Sequence, residues 1–333
     1  MIVVCGITSD PSTALVIAAL DQLGHTHAVL HQRRFEEAPI DAQIVGAHIE
    51  GRVLTDLGPI DCASVTGIYS RFMDWTVLPE VCDGPEETVE RCRTWHHALS
   101  NWIEIAPGCV MNRAGASASN QSKPYQTQLI RQAGFQVPET LVTNDPELVH
   151  DFRARHGLLV YKSISSVRSI VQVLNDDADA RLPLIRGCPV QFQRLIPGTN
   201  VRVHVAAGTV FATRVVTNGL DYRYADRTEF LPWQPPDELA EQCTVLADHL
   251  GLPLAGIDLI LTDDGQVFCL EVNPNPAFGC YENRTGQPIS NAIAVGLERG
   301  EGQRSAAVCQ VGCSSNPAPC GLPSSAARRP RHA

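Results

Sequence analysis

The chain has 333 residues, 44% of them apolar and 19% charged, with a formal net charge of −10 and a pI near 5.5. That is enough apolar material for one large or two to three small globular domains, and the acidic balance, with no basic stripe ahead of the C-terminal tail, excludes nucleic acid as an expected partner. The longest apolar run, Ala14–Leu20, is far short of a membrane span, and Met1–Cys5 lacks the basic start and long apolar core of a signal peptide, so the expected location is cytoplasmic with no membrane partner.

Taken in order, Ile2–Ile7 is an apolar run containing Gly6, followed by Asp10-Pro11, then Leu15, Ala18, Ala19 and Leu23, then Gly24. That pattern predicts a strand, an N-cap, a proline at the first helical position, a helix and a glycine stop. His27–Leu30 predicts the next strand, so the chain opens on a βαβ unit, without the GxGxxG of a dinucleotide fingerprint. Between residues 33 and 80, strand-like pieces (Ile44–Ile49, Gly51–Leu54, Gly67–Ser70) alternate with Asp, Gly and Pro turns. Arg71, just past the last piece, either faces a ligand at a strand end of an open α/β sheet or makes a surface ion pair. Glu86–Ile105 carries Val89, Cys92, Trp95, His96, Leu99 and Ile103 at helical spacing. Its neighbours His96 and His97 point different ways and read as packing and surface residues.

Gly108–Met111 predicts a short strand, Asn112–Ser122 a polar linker, and Lys123–Ala133 a helix stopped by Gly134. Phe135–Val142 is extended, with Pro138 forbidding helix, and Asp145-Pro146 caps a helix running to His156. Leu158–Lys162 is a buried-type strand. Ser163–Ser169, with Arg168 in it, and the strand Ile170–Leu174 complete either a phosphate cover or an ordinary hairpin. In the first reading, backbone N–H groups, hydroxyls and the Lys162 point charge meet phosphate oxygens.

Pro189–Ile196 predicts a strand, and Val201–Val205 and Val210–Val216 a hairpin. A two-residue Ala207-Gly208 turn puts Arg202 and Arg214 on opposite faces of it; a three-residue turn with a bulge puts them opposite each other on one face. Asp221–Tyr224 opens a polar loop, Asp237–Leu250 is a helix ended by Gly251, and Ile289–Glu298 is a closing helix. From Arg299 onward, Gly, Ser, Pro, Ala, Cys and Arg without periodicity read as a disordered tail. Twelve cysteines form no CxxC, so no zinc site is indicated, and Cys309, Cys313 and Cys320 have no histidine near them, so metal binding by the tail is not expected; Cys5 and Cys269 read as small core residues.

The most informative stretch is residues 255–276, AGIDLILTDDGQVFCLEVNPNP. Two β-rich runs, Ile257–Leu261 and Val267–Val272, flank an Asp-Gly hairpin signal. A two-residue Asp264-Gly265 turn pairs Leu261 with Phe268 and Asp258 with Glu271. It places Ile257, Leu259, Leu261, Phe268, Leu270 and Val272 on a core face, and Asp258, Glu271 and Asn273 on the other. Like charges directly opposed are destabilising. The two acids therefore lie at an exposed sheet end, form an acid/base pair as in glycoside hydrolysis, or hold a hard divalent cation with the Asn273 oxygen as a third ligand. The stiff Asn-Pro-Asn-Pro that follows favours the cation.

From about Asn112 to Glu298 the chain resembles the ATP-grasp superfamily, specifically the RimK-like and graspetide (microviridin-type) maturase branch of carboxylate–amine ligases. The resemblance rests on an ordered series: Ser122-Lys123-Pro124-Tyr125; Val137-Pro138-Glu139-Thr140; Tyr161-Lys162-Ser163; Val190-Gln191-Phe192-Gln193 with Ile196-Pro197-Gly198; Val201-Arg202-Val203; Ala212-Thr213-Arg214; Asp221-Tyr222-Arg223; Gly256-Ile257-Asp258; and Leu270-Glu271-Val272-Asn273-Pro274. It implies an α/β chain with α+β lobes, the ATP-grasp fold, behind a βαβ-type N-terminal domain. The implied divisions are an N-terminal domain at 1–111, a small lobe at 112–190, a C-terminal lobe with the metal site at 191–299, and a tail at 300–333.

The resemblance further implies ATP as cofactor, with Lys123, Lys162, Ser163 and Arg168 on the phosphates and Gln193, Arg194 and Ile196 on the strand that meets adenine. Asp258, Glu271 and Asn273 would hold one or two Mg²⁺, and Arg202 and Arg214 would be catalytic, neutralising the transferring phosphoryl group. The implied activity is ligation: a substrate carboxylate, on a small molecule or a peptide, becomes an acyl phosphate and passes to an amine. Alternatives are a macrocyclase forming side-chain esters or amides, a kinase-like phosphoryl transfer, and a non-catalytic ATP-binding protein. A glycosidase built on Asp258 and Glu271 leaves Lys162, Arg202 and Arg214 unexplained. Substrate contacts are expected from Arg71, Trp75 and the Tyr222–Trp233 loop, and homo-oligomerisation is open.

Overall fold

The computed structural model describes residues 1–46, 48–164, 171–217 and 228–300; Arg168, Asp221-Tyr222-Arg223 and the tail beyond Gly300 lie outside the described residues. The chain opens as β1 (Ile2–Gly6), α1 (Pro11–Gln22) and β2 (His27–His31), with Asp10 accepting the Thr13 N–H at 2.9 Å as N-cap of α1. An antiparallel sheet follows, β3 (Ile40–Val45), β4 (His48–Thr55) and β5 (Gly58–Asp61), in that order. The expected pieces Ile44–Ile49 and Gly51–Leu54 are thus divided differently: β3 ends before Gly46 (φ +64°), and β4 runs on through Gly51. Next come β6 (Gly67–Arg71), α2 (Pro79–Cys82), α3 (Glu86–Ile105) and β7 (Cys109–Met111).

β1, β2, β6 and β7 form a parallel sheet in the order β2-β1-β6-β7. α3 packs Trp95, Leu99 and Trp102 against Val3, Cys5 and Ile68 on one side of it. His96 belongs to that core, between Trp95 and Phe72, and burial pushes its pKa down to about 4, as its packing role requires. On the other side Ile2, Val4 and Leu20 share a core with Phe278, Ile293 and Leu297 from the far end of the chain. Each such side chain is worth about 1.5–3 kcal/mol when fully buried, so the two ends of the sequence are held to each other.

The stretch expected as a linker contains a short helix, α4 (Ala114–Ser117), and leads into α5 (Lys123–Gln132). An antiparallel sheet then follows, with strands β8 (Thr140–Thr143), β9 (Leu159–Ser163), β10 (Gln172–Val173) and β11 (Val190–Arg194) in the order β10-β9-β11-β8. It is backed by α6 (Pro146–His156), with α7 (Asp176–Asp179) beside it. The last sheet has strands β12 (Thr199–Ala206), β13 (Thr209–Thr217), β14 (Thr228–Trp233), β15 (Leu254–Leu261) and β16 (Val267–Asn273). Its order is β14-β13-β12-β15-β16, with α8 (Asp237–His249) on one face and α9 (Gly279–Thr285) and α10 (Ile289–Arg299) on the other. Residues 228–233, expected as part of a polar loop, are strand β14, paired to β13. No helix among the described residues is long and apolar enough to cross a membrane.

Candidate active site

Asp258 and Glu271 do face each other across β15 and β16, but by a different route from a two-residue turn. Leu261 pairs with Val267 rather than Phe268, and the turn is closed by Thr262 N–H donating to Gln266 O at 3.0 Å. A bulge at the level of Asp258/Leu259 then leaves Leu270 as the extra residue. The two one-residue shifts cancel at Glu271. They do not cancel between the turn and the bulge, where the faces exchange. Cys269 and Val267 join Ile257 and Leu259 in the core, while Phe268 and Leu270, expected in that core, pack with Ile260 and Ile196 on the acid side. The acids therefore have an apolar patch beside them.

Three cations converge on the two acids. Arg202, on β12 directly opposite Asp258, donates from Nη1 to Asp258 Oδ1 at 2.7 Å. Its guanidinium fits because residue 256 is glycine: a Cβ there would strike Arg202 and Pro276. Lys162, on β9, and Lys123, the first residue of α5, bring Nζ to 3.7 and 3.5 Å from Glu271 Oε2. Lys162 is only 8% exposed. Burial lowers its pKa, and the Lys123 charge adds to that, against the pull of Glu271 and Asp258. Burial acts to raise the Glu271 pKa, yet Lys162, Lys123 and Arg202 together hold the carboxyl below its usual range. An excess of positive charge around two carboxylates is a setting for a further, highly charged anion.

Asn273 sits opposite Gly256 on the same face, and its Oδ1 accepts the Asn275 N–H at 2.9 Å. Two carboxylates and an amide oxygen are hard donors of the kind Mg²⁺ takes, with substrate phosphates and water completing its shell, so the residues fit that ion. Among the described residues no three His, Cys, Asp or Glu side chains gather as a metal-holding group, at this site or any other.

Arg214 is not brought to this cluster. Ala206 pairs with Thr209, so Ala207-Gly208 is a two-residue turn with both φ positive (+46° and +78°), the primed geometry that fits strand twist. Thr213, not Arg214, lies opposite Arg202; Arg214 is exposed on the other face, its guanidinium 4.8 Å from the Trp233 ring centre. Of the two geometries open for this hairpin, the register is the one that puts Arg202 and Arg214 on opposite faces. Gln193 lies on the Lys162 face of its sheet and donates to Thr140 Oγ1 at 3.0 Å. The Arg194 N–H goes to Glu139 O and its side chain reaches Glu139 Oε2 at 3.5 Å, while Ile196 joins the apolar patch. Ser163 is exposed at the end of β9.

Sequence reasoning missed four residues here. Gln126, one turn beyond Lys123, donates to Val272 O at 2.8 Å and accepts the Val272 N–H at 3.0 Å, extending the β16 edge as another strand would. Its spacing of three from Lys123 was the available signal. Gln191, opposite Lys162, is buried with no partner for Oε1. His204, two residues from Arg202, is buried against the Tyr281 ring, and burial and the Arg202 charge hold its pKa well below the usual value. Tyr281 also lies under the Arg202 guanidinium, 5.9 Å from its ring centre. A cleft of about 890 Å³, lined by Pro124, Arg131, Gln136, Arg194 and Phe268, adjoins this region without including either acid.

No family model and no curated protein matches the chain. Solved structures do. The ATP-grasp ligase PsnB, complexed with a minimal precursor, is 29% identical with a TM-score of 0.75, over 90% of this chain and 98% of that one. The macrocyclase MdnC from Microcystis aeruginosa MRC, bound with precursor peptide MdnA, is 23% identical with a TM-score of 0.76, over 90% and 100%. A RimK-domain ATP-grasp protein from Sphaerobacter thermophilus DSM 20745 is 18% identical with a TM-score of 0.53, over 89% and 99%. The fold is that of the ATP-grasp proteins.

Proposed function

We propose that the chain is an ATP-dependent ligase that converts a carboxylate of a peptide into an acyl phosphate and joins it to an amine or a side-chain hydroxyl. The observation that carries this reading is the convergence of Lys123, Lys162 and Arg202 on the opposed Asp258 and Glu271. The likeness to PsnB, solved with precursor, Mg and ADP, supports nucleotide and a peptide as the substrate classes.

A carboxylate is a poor electrophile. In the proposed reaction one of its oxygens bonds to the γ-phosphorus of ATP as the bond to the bridging oxygen breaks and ADP leaves. The acceptor then attacks the acyl carbon, phosphate departs with the C–O bond, and the acceptor loses its proton. Lys162 and Lys123 hold phosphate oxygens, exchanging Glu271 for them. Arg202 faces charge that develops on the transferring group, where preorganised donors act most strongly. Asp258, Glu271 and Asn273 would hold Mg²⁺, which supplies charge neutralisation along the polyphosphate. Ile196, Ile260, Phe268 and Leu270 give a base an apolar seat. The lobes 112–190 and 191–299 close on the nucleotide, and such enclosure strengthens each of these charge contacts.

Incubating the protein with ATP, Mg²⁺ and acidic peptides tests the reading. ADP release should accompany loss of one water from the peptide by mass, and hydroxylamine sensitivity of the product separates ester from amide. A stable phosphopeptide would replace ligation by phosphoryl transfer. ADP release without any peptide product would contradict the proposal.

A further inference from the structure

The parallel sheet in the order β2-β1-β6-β7 has its switch point between β1 and β6, and in open α/β sheets ligands bind in the crevice at the carboxyl ends of such strands. Gly6 and Arg71 end those two strands side by side, and a Cβ on Gly6 would stand 2.7 Å from Arg71 O. In this chain the crevice holds the chain's own Asn275-Pro276. Arg71 Nη1 donates to Asn275 Oδ1 at 2.8 Å and to Pro276 O at 3.2 Å. Its Nε and Nη2 are fixed by Asp10, at 2.6 and 3.3 Å. Ser12, in the first turn of α1, accepts the Gly279 N–H at 3.1 Å just beyond. Asn275 in turn gives its N–H to Asn273 Oδ1 at 2.9 Å.

We infer that Asp10 and Arg71 are positioning residues: through Asn275 they set the amide of Asn273 beside Asp258 and Glu271, so the crevice of the N-terminal sheet serves as a brace for the metal-binding turn. The inference rests on the reading of Asn273 as a metal ligand. Neither Asp10 nor Arg71 has an ion pair with the acids or the lysines; Arg71 holds the Asn275 side chain and the Pro276 carbonyl, and Asn275 holds Asn273. The sequence Asn273-Pro274-Asn275-Pro276 suits this, because two prolines fix φ on either side of the residue that is held.

Mn²⁺, which accepts the same oxygen donors as Mg²⁺, is the probe, titrated by electron paramagnetic resonance into the full chain with saturating ADP. Arg71→Ala and Asn275→Ala should each weaken Mn²⁺ binding by about tenfold, and the double variant should be no worse than either, as expected when two residues act in series. ADP affinity without metal should change less than about twofold in either variant. Asn275 is exposed, so its variant reads the brace even if Arg71→Ala misfolds. Wild-type Mn²⁺ affinity in folded Asn275→Ala, or additive losses in the double variant, would overturn the inference while leaving the nucleotide site standing. Failure of the unsubstituted protein to bind Mn²⁺ with ADP would instead overturn the reading it rests on.

Discussion

Two arginine–carboxylate pairs in this molecule are nearly the same length, 2.6 Å for Arg71–Asp10 and 2.7 Å for Arg202–Asp258, and they do different things. Arg71 is closed: Asp10 takes two of its donors, and Asn275 and Pro276 oxygens take the rest of what it offers there. Arg202–Asp258 is open: Glu271, Lys123 and Lys162 crowd beside it, and three positive groups stand against two negative ones. A closed pair joins two pieces of chain. An open cluster with surplus positive charge is a setting for a further anion. Distance alone does not distinguish the two; the surrounding charges do.

The largest effect should come from the open cluster. Glu271→Gln or Asp258→Asn should lower kcat for ADP release by at least ~10²-fold, roughly 3 kcal/mol of barrier. Near-normal turnover in either would remove the acids from the chemistry. The closed pair should answer in stability instead. Asp10→Asn leaves Arg71 without its charged partner, and breaking this half-buried pair should cost about 1–2 kcal/mol, between an exposed pair and a fully buried one, read by denaturant unfolding.

That loss has a pH signature. Burial acts to raise the Asp10 pKa, but Arg71 and the Thr13 donors together bring it below the ordinary 3.8. A carboxyl depressed in the folded state contributes stability above its unfolded pKa and loses it as pH falls through the folded one. The gap between wild type and Asp10→Asn should therefore be full at neutral pH and close below 3.8.

Lys162→Met sharpens the contrast further. It removes a buried cation whose pKa burial already depresses, so nucleotide affinity should fall by about tenfold, ~1.4 kcal/mol, with the melting temperature little changed. A large drop in melting temperature with normal nucleotide affinity would make Lys162 a strut. The smallest effect belongs to Arg214→Ala. On the other face, over Trp233, it should change ADP release less than about twofold and stability by about 0.5–1 kcal/mol, the worth of an exposed cation–π contact. A hundredfold loss of kcat there would contradict the register of β12 and β13.

Much of this was legible in the sequence because its signals are local. Asp10-Pro11 announced the cap of α1, Gly134 and Gly251 ended their helices, and the Asp-Gly signal announced the hairpin on which Asp258 and Glu271 face each other. The ordered motifs then identified the fold that solved structures share. What was not legible depended on one-residue choices that packing decides. The longer turn after Leu261 and the bulge at Leu270 moved Phe268 and Leu270 out of the core. The choice of a two-residue turn at Ala207-Gly208 put Arg214 on the face opposite Arg202. Arg71 was placed correctly at a strand end, but its partner lies 204 positions away, and no local pattern carries that information.

In the proposed function the Asp258–Glu271 cluster binds a nucleotide through a divalent cation. Calorimetric titration of ADP into the protein with and without Mg²⁺, alongside Glu271→Gln, tests it most directly. Mg²⁺ should tighten ADP binding in the wild type by tenfold or more (about 1.4 kcal/mol), and Glu271→Gln should abolish the gain. ADP affinity indifferent to both Mg²⁺ and Glu271 would contradict it.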